Sequence, residues 1–181
     1  MSFRLVVASV LVAPSIASAS PLSADLSAGA GAAVMYSDPC GGPFPIANCT
    51  TPAARLRGPA MTVRGMVGAH HALRGAWGLR WGAGLSGLFM TESGDTGSIV
   101  SGGGEFGVTL DRWSADTFAG LSWVRVRADG MATTGATMAF GGSVGFAITP
   151  QVSAFARVDL SAMLEGSIGG ASIDGGVTFR L

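Results

Sequence analysis

The chain has 181 residues, enough for one domain and a processed leader. Charged residues make up only 12%, against a usual share of about 25%. Eleven basic residues, all arginine, balance eleven acidic ones, so net charge gives no argument for nucleic acid. Hydrophobic residues reach 48%, yet glycine and polar residues interrupt them so often that no segment after the N-terminus offers the ~20 apolar residues a membrane-spanning helix needs.

The N-terminus reads as a secretory signal. Arg4 supplies the positive charge, Leu5 to Ile16 an apolar run broken late by Pro14, and Ala17-Ser18-Ala19 a small-x-small cleavage site. Residues 1–19 are therefore predicted to be a signal peptide and residues 20–181 the mature domain. Export agrees with Cys40 and Cys49, a lone pair in the proline- and glycine-rich stretch Ser37 to Thr50. In an oxidising compartment they are predicted to form a disulfide, worth about 2–3 kcal/mol for so short a ring.

From there the chain alternates with period two, the signature of strands with one apolar and one polar side. The first predicted strand is Asp25 to Tyr36, with Leu26, Ala28, Ala30, Ala32, Val34 and Tyr36 on the apolar face. A long loop, 37–60, follows. The second strand runs from Met61 to Leu73. A tight connection at Arg74-Gly75 leads to the third, Ala76 to Met90, where Trp77, Leu79, Trp81, Leu85 and Phe89 alternate with Gly78, Arg80, Gly82 and Ser86. Loop 91–98 precedes the fourth strand, Ile99 to Leu110, and Asp111-Arg112 turns the chain into the fifth, Trp113 to Arg127. Alternation is weakest there, and a bulge near Val124 is expected. Loop 125–133 leads to the sixth strand, Thr134 to Ile148. Thr149-Pro150-Gln151 is the next turn. The seventh strand is Val152 to Leu164, loop 165–170 follows, and the eighth is Ala171 to Leu181.

Eight strands long enough for a tilted crossing, with connections that alternate long and short, predict an all-β fold. The expected form is an eight-stranded antiparallel up-and-down transmembrane β-barrel. The apolar faces would meet lipid. Asp25, Arg64, Arg80, Glu105, Asp116, Arg157, Asp159, Asp174 and Arg180 fall on the other face, inside. Buried charges need partners, so interior ion pairs are predicted: Arg80 with Glu105, Arg157 with Asp174, and Asp25 with Arg180 across the closing seam. Small residues, many of the 29 glycines among them, would leave room for these side chains. Trp77, Trp113, Phe146 and Phe179 fall near the short-turn end and Tyr36, Phe89 and Trp123 near the long-loop end, as two aromatic girdles would.

This pattern resembles the small outer-membrane barrels of Gram-negative bacteria, the OmpA/OmpX-type family, over essentially the whole mature chain. The closing Gly175-Gly-Val-Thr-Phe-Arg-Leu181 resembles the C-terminal signal read by the barrel-assembly machinery of that class. Phe179 and Leu181 carry it, with leucine standing where an aromatic is usual. The resemblance implies residence in the bacterial outer membrane.

Candidate chemistry is sparse. His70 and His71 are adjacent on a strand, point to opposite faces and cannot chelate one metal in regular geometry. Asp116 with Glu105, or Asp159 with Asp174, would pair carboxylates for acid–base work, but the interleaved arginines favour ion pairs. Ser101-Gly102-Gly103-Gly104 lies within a strand with no helix to complete a phosphate loop. No nucleophile–base–orienter set is visible, so no enzyme activity, cofactor or metal is expected. Arg55, Arg57, Arg125 and Arg127 fall at the predicted outer rim, where guanidinium groups suit lipopolysaccharide phosphates or stay simply solvated. The reading is a non-porin barrel, monomeric by default, with membrane lipids as partners and a structural or surface-interaction role through its loops. The alternatives are a lipid A-modifying enzyme, a carrier of small apolar compounds and a soluble periplasmic barrel.

Overall fold

A computed structural model describes residues 22–37, 54–73, 75–128, 130–162 and 168–181. Residues 1–19, Cys40 and Cys49 lie outside these, as does most of the 37–60 loop.

The described residues form eight strands: β1 (Leu22–Ser37), β2 (Ala54–Ala72), β3 (Trp77–Glu92), β4 (Asp95–Leu110), β5 (Trp113–Ala128), β6 (Met131–Ala147), β7 (Val152–Ala162) and β8 (Ile168–Arg180). Each pairs antiparallel with its neighbours in sequence, and β1 pairs with β8 to close the barrel. The seam runs from Asp25 opposite Arg180 to Ser37 opposite Ile168. Closure leaves no free sheet edge where all eight strands run side by side, which is the condition for crossing a bilayer as β-structure.

The polarity is inverted relative to a soluble barrel. Trp81 is 46% exposed, Leu121 60% and Val158 49%, on the outside. Asp25, Glu105, Asp116, Arg157 and Asp174 are buried inside. On β5 the alternation is unbroken: Ala115, Thr117, Ala119, Leu121 and Trp123 face out, Asp116, Phe118, Ser122, Val124 and Val126 face in.

Several sequence expectations change. The 91–98 loop shrinks to a two-residue turn, Ser93-Gly94, because both residues take positive φ (50° and 95°), the geometry that matches strand twist in a tight hairpin. β5 runs to Ala128 and β6 starts at Met131, so most of the expected 125–133 loop is strand, and Gly130 also takes positive φ. Residues 54–60 belong to β2. Arginines and a proline made these stretches look like loops, yet the alternation persists through them: Leu56, Val126 and Ala128 point inward while Arg55, Arg57, Arg125 and Arg127 point outward. Pro59 is tolerated because the β2–β3 ladder begins only at Ala60 opposite Met90. No bulge occurs at Val124, which stays in register with Ile99 on one side and Gly135 on the other. Among the described residues the strands thus extend beyond the apolar band, most clearly in the β3–β4 and β5–β6 hairpins at the end opposite the termini.

Candidate functional site

Two regions carry chemistry: the lumen and the outward-facing hairpin rim. The lumen is stratified from the termini upward. Nearest the termini it holds hydroxyls and His70, whose Nε2 lies 3.1 Å from Thr109 Oγ1. His71 takes the outward face of β2, so the two histidines stand apart.

Above lies a belt of ions. Asp25 receives Arg180 Nε at 3.2 Å across the seam and Arg80 Nη2 at 3.0 Å across the lumen. Arg80 Nη1 also faces Asp116 Oδ2 at 3.6 Å, and its Nη2 faces Glu105 Oε1 at 3.8 Å. Arg64 donates to Glu105 Oε2. Phe118 enters the belt between two cations, with the Arg64 guanidinium 5.4 Å and the Arg157 guanidinium 5.6 Å from its ring centre. The negative ring faces offset charge that water would otherwise solvate.

The expected Arg157–Asp174 pair is not formed. The two are register partners on β7 and β8, but Arg157 Nε turns along its own strand to Asp159 Oδ2 at 2.7 Å. Asp174 Oδ2 instead accepts from Thr62 Oγ1 at 2.9 Å, reaching across β1. Gly141, opposite Asp159, explains part of this choice: a Cβ there would fall on Asp159 Oδ1, so the missing side chain makes room for the carboxylate. Gly107 does the same for Asp116. The candidate carboxylate pairs are thus interleaved with arginines, and Asp159 and Asp174 turn toward opposite neighbours.

The next layer is hydroxylic. Ser101 and Ser122 are bonded at 2.6 Å, Thr137 and Ser161 at 2.5 Å. Over this sits a dry septum of Met35, Leu56, Leu88, Met90, Ile99, Val124, Val126 and Ile168. Met35 and Val124 are 0% exposed. A cavity of about 90 Å³ runs beneath it, lined from Ser114, Ser153 and Thr178 near the termini, through the ion belt, to Leu88 and Ile99 on the septum's underside. That volume admits several waters. Asp116 Oδ1, Arg157 Nη2, Asp159 Oδ1 and Asp174 Oδ1 are buried without a protein partner among the described residues, and all four residues line it. The septum follows the same alternation as the ion belt, with hydrophobic residues at the inward positions of the strand ends.

On the outside, Trp77, Trp113 and Phe179 stand exposed at the turn end, and Trp113 meets Phe146 edge-on at 5.0 Å. Phe89 and Trp123 are exposed toward the hairpins, and Tyr36 is half-buried. Beyond them Arg125 and Arg127 project outward from β5, and Arg55 and Arg57 from β2. Glu92 Oε2 accepts from the Arg57 backbone N–H at 2.6 Å.

No protein-family model and no curated protein matches the chain. Among solved structures it is similar to neisserial surface protein A, at 15% identity and a TM-score of 0.52, over 87% of this chain and 97% of that one. It is equally similar to the N-terminal β-barrel domain of Pseudomonas aeruginosa OprF, at 15% identity and a TM-score of 0.51, over 88% of this chain and 97% of that domain. The fold is that of the small eight-stranded bacterial outer-membrane β-barrels.

Proposed function

We propose that this chain is an integral outer-membrane protein with a structural and surface-interaction role, acting through its hairpin end and not as a porin. The observation that carries the reading is the inverted polarity: a continuous apolar exterior around a buried belt of paired ions. In water that exterior would be a large exposed patch. In a bilayer it is the lipid-facing band, and each lumenal charge is shielded from hydrocarbon. With the termini in the periplasm, the end that carries the β3–β4 and β5–β6 hairpins faces outside. Phe179 on β8 and Leu181 just beyond it, both exposed, are the residues on which the assembly machinery would act.

The septum supports the non-porin part. An ion crossing it would shed its hydration among almost wholly apolar side chains, a penalty of many kcal/mol. Membrane lipids, lipopolysaccharide included, are the expected partners.

Envelope fractionation tests this reading. The protein should stay with the outer membrane after carbonate or high-salt washing and should migrate differently on a gel before and after boiling. A membrane-impermeant maleimide should label Thr96→Cys on intact cells, with the unsubstituted protein as blank. Release with the periplasmic fraction would end the proposal.

A further inference from the structure

Among the described residues, every carboxylate of the ion belt but one meets a guanidinium group. Asp25 and Asp116 share Arg80, Glu105 holds Arg64, and Asp159 holds Arg157. Asp174 is the exception. It is 5% exposed, and its partner is a neutral hydroxyl, Thr62 Oγ1, which donates to Oδ2 at 2.9 Å. Arg157 stands opposite it in register but is committed to Asp159 and to the Phe118 ring. Arg64 is likewise committed to Glu105 and the same ring. An enclosed carboxylate without a countercharge is costly.

Two unmet oxygens share this corner of the lumen. Asp174 Oδ1 and the Oγ of Ser172, itself 7% exposed, are buried with no partner among the described residues, and both residues line the lumenal cavity. They stand on successive inward positions of β8, about 7 Å apart along the strand, a gap that one ion can bridge. The β1 wall beside them is glycine. Gly29 leaves the space in which Thr62 reaches Asp174: a Cβ there would lie 2.9 Å from Thr62 Oγ1 and 3.1 Å from Asp174 Oδ2. Gly31, the β1 register partner of Asp174, runs so close to β8 that a Cβ would meet the Asp174 Cα at 2.6 Å. No side chain from either position covers the carboxylate. The cavity continues to Ser153 and Thr178 at the terminal end and stops beneath the septum. Among the described residues no three His, Cys, Asp or Glu stand close enough to share a metal ion, so a divalent cation lacks the ligands it needs. A single uncompensated charge flanked by hydroxyls suits a monovalent one.

We propose that Asp174, Ser172 and Thr62 form a lumenal site for one monovalent inorganic cation, with sodium chemistry. The ion neutralises Asp174, takes Asp174 Oδ1 and Ser172 Oγ as ligands, and keeps water for the rest. Thr62 positions the carboxylate. The Arg157 guanidinium opposes the ion, and Asp159 offsets that charge. The barrel is therefore more stable in sodium. The inference goes beyond the surface role and takes from it only the periplasmic end by which the ion enters.

Urea unfolding of the full chain refolded into phosphatidylcholine vesicles near neutral pH tests the site. Tetramethylammonium chloride, whose methyl groups bar coordination by oxygen, holds the ionic strength constant. Raising sodium from about 1 to 100 mM should increase the folded-to-unfolded ratio by about tenfold, for a site half-filled near 10 mM. Asp174→Asn, whose amide oxygen still accepts from Thr62, should abolish this response and be no less stable than the unsubstituted chain in the tetramethylammonium salt. A merely structural aspartate would lose stability in both salts. Ser172→Ala should weaken the response. A ratio that stays the same in sodium, or a response that persists in Asp174→Asn, would overturn the site. So would a neutral Asp174 carboxyl seen by carbon-13 NMR in sodium, which puts a proton in the ion's place, or an equal response to about 1 mM magnesium. Sodium-23 relaxation of the unsubstituted protein in the same vesicles needs no variant. A saturable excess of one ion per barrel is expected, and its absence would equally overturn the site.

Discussion

Asp25, on the first strand, holds Arg180 on the last at 3.2 Å and Arg80 across the lumen at 3.0 Å. One carboxylate thus ties the seam to the interior. Asp25→Asn should lower stability by about 3 kcal/mol, because it leaves Arg80 buried with weaker compensation. Arg180→Gln should cost less than about 1 kcal/mol, since the Arg180 side chain is 42% exposed and water screens its pair. Urea unfolding from lipid vesicles, followed by tryptophan fluorescence, measures both. Equal losses would show that the seam contact, not the lumenal one, carries the energy.

Gly141 and Gly142 are neighbours on β6 that face opposite ways. At Gly141 a methyl group would collide with the Asp159 carboxylate and disturb its pair with Arg157. At Gly142 the nearest atom is the Asp116 carbonyl oxygen at 3.7 Å, an ordinary contact. Gly141→Ala should therefore destabilise by roughly 1–3 kcal/mol and Gly142→Ala by less than about 0.5 kcal/mol, in the same unfolding assay.

The septum, rather than the ion belt, should be what stops conduction, because the cavity already passes the belt and ends beneath Leu88 and Ile99. In planar bilayers the unsubstituted barrel should be silent. Val124→Ser with Val126→Ser should open a small conductance by wetting the constriction. Arg64→Gln with Glu105→Gln, which leaves the septum intact, should stay silent. Conduction in the belt variant alone would move the barrier to the charges.

Most of the fold was legible because a barrel wall needs only a period of two, and Trp77 to Phe89 or Ala171 to Leu181 display that period without interruption. Strand ends were less legible. Arg125 and Arg127 face outward above the apolar band, where a charge is no longer excluded, and the sequence left them both at the end of the fifth strand and inside the 125–133 loop. Asp25 and Arg180 could be matched from the sequence because they stand at the two ends of the chain's pattern and meet in register. The partner of Arg157 could not. Whether it turns to Asp174 across the ladder or to Asp159 along its strand depends on the space left by Gly141 and on the pull of Thr62, which lies two strands from Asp174 in sheet order.

The central claim is that the side of each strand bearing Leu121 meets hydrocarbon while the side bearing Asp116 is enclosed. Spin labels at single cysteines along β5, in a Cys40→Ser, Cys49→Ser background reconstituted in bilayers, measure this directly. Labels at 115, 117, 119 and 121 should collide readily with oxygen dissolved in the lipid and little with a water-soluble nickel chelate, whereas labels at 116, 118, 120 and 122 should be shielded from oxygen. High nickel accessibility at 117, 119 and 121 would contradict the account.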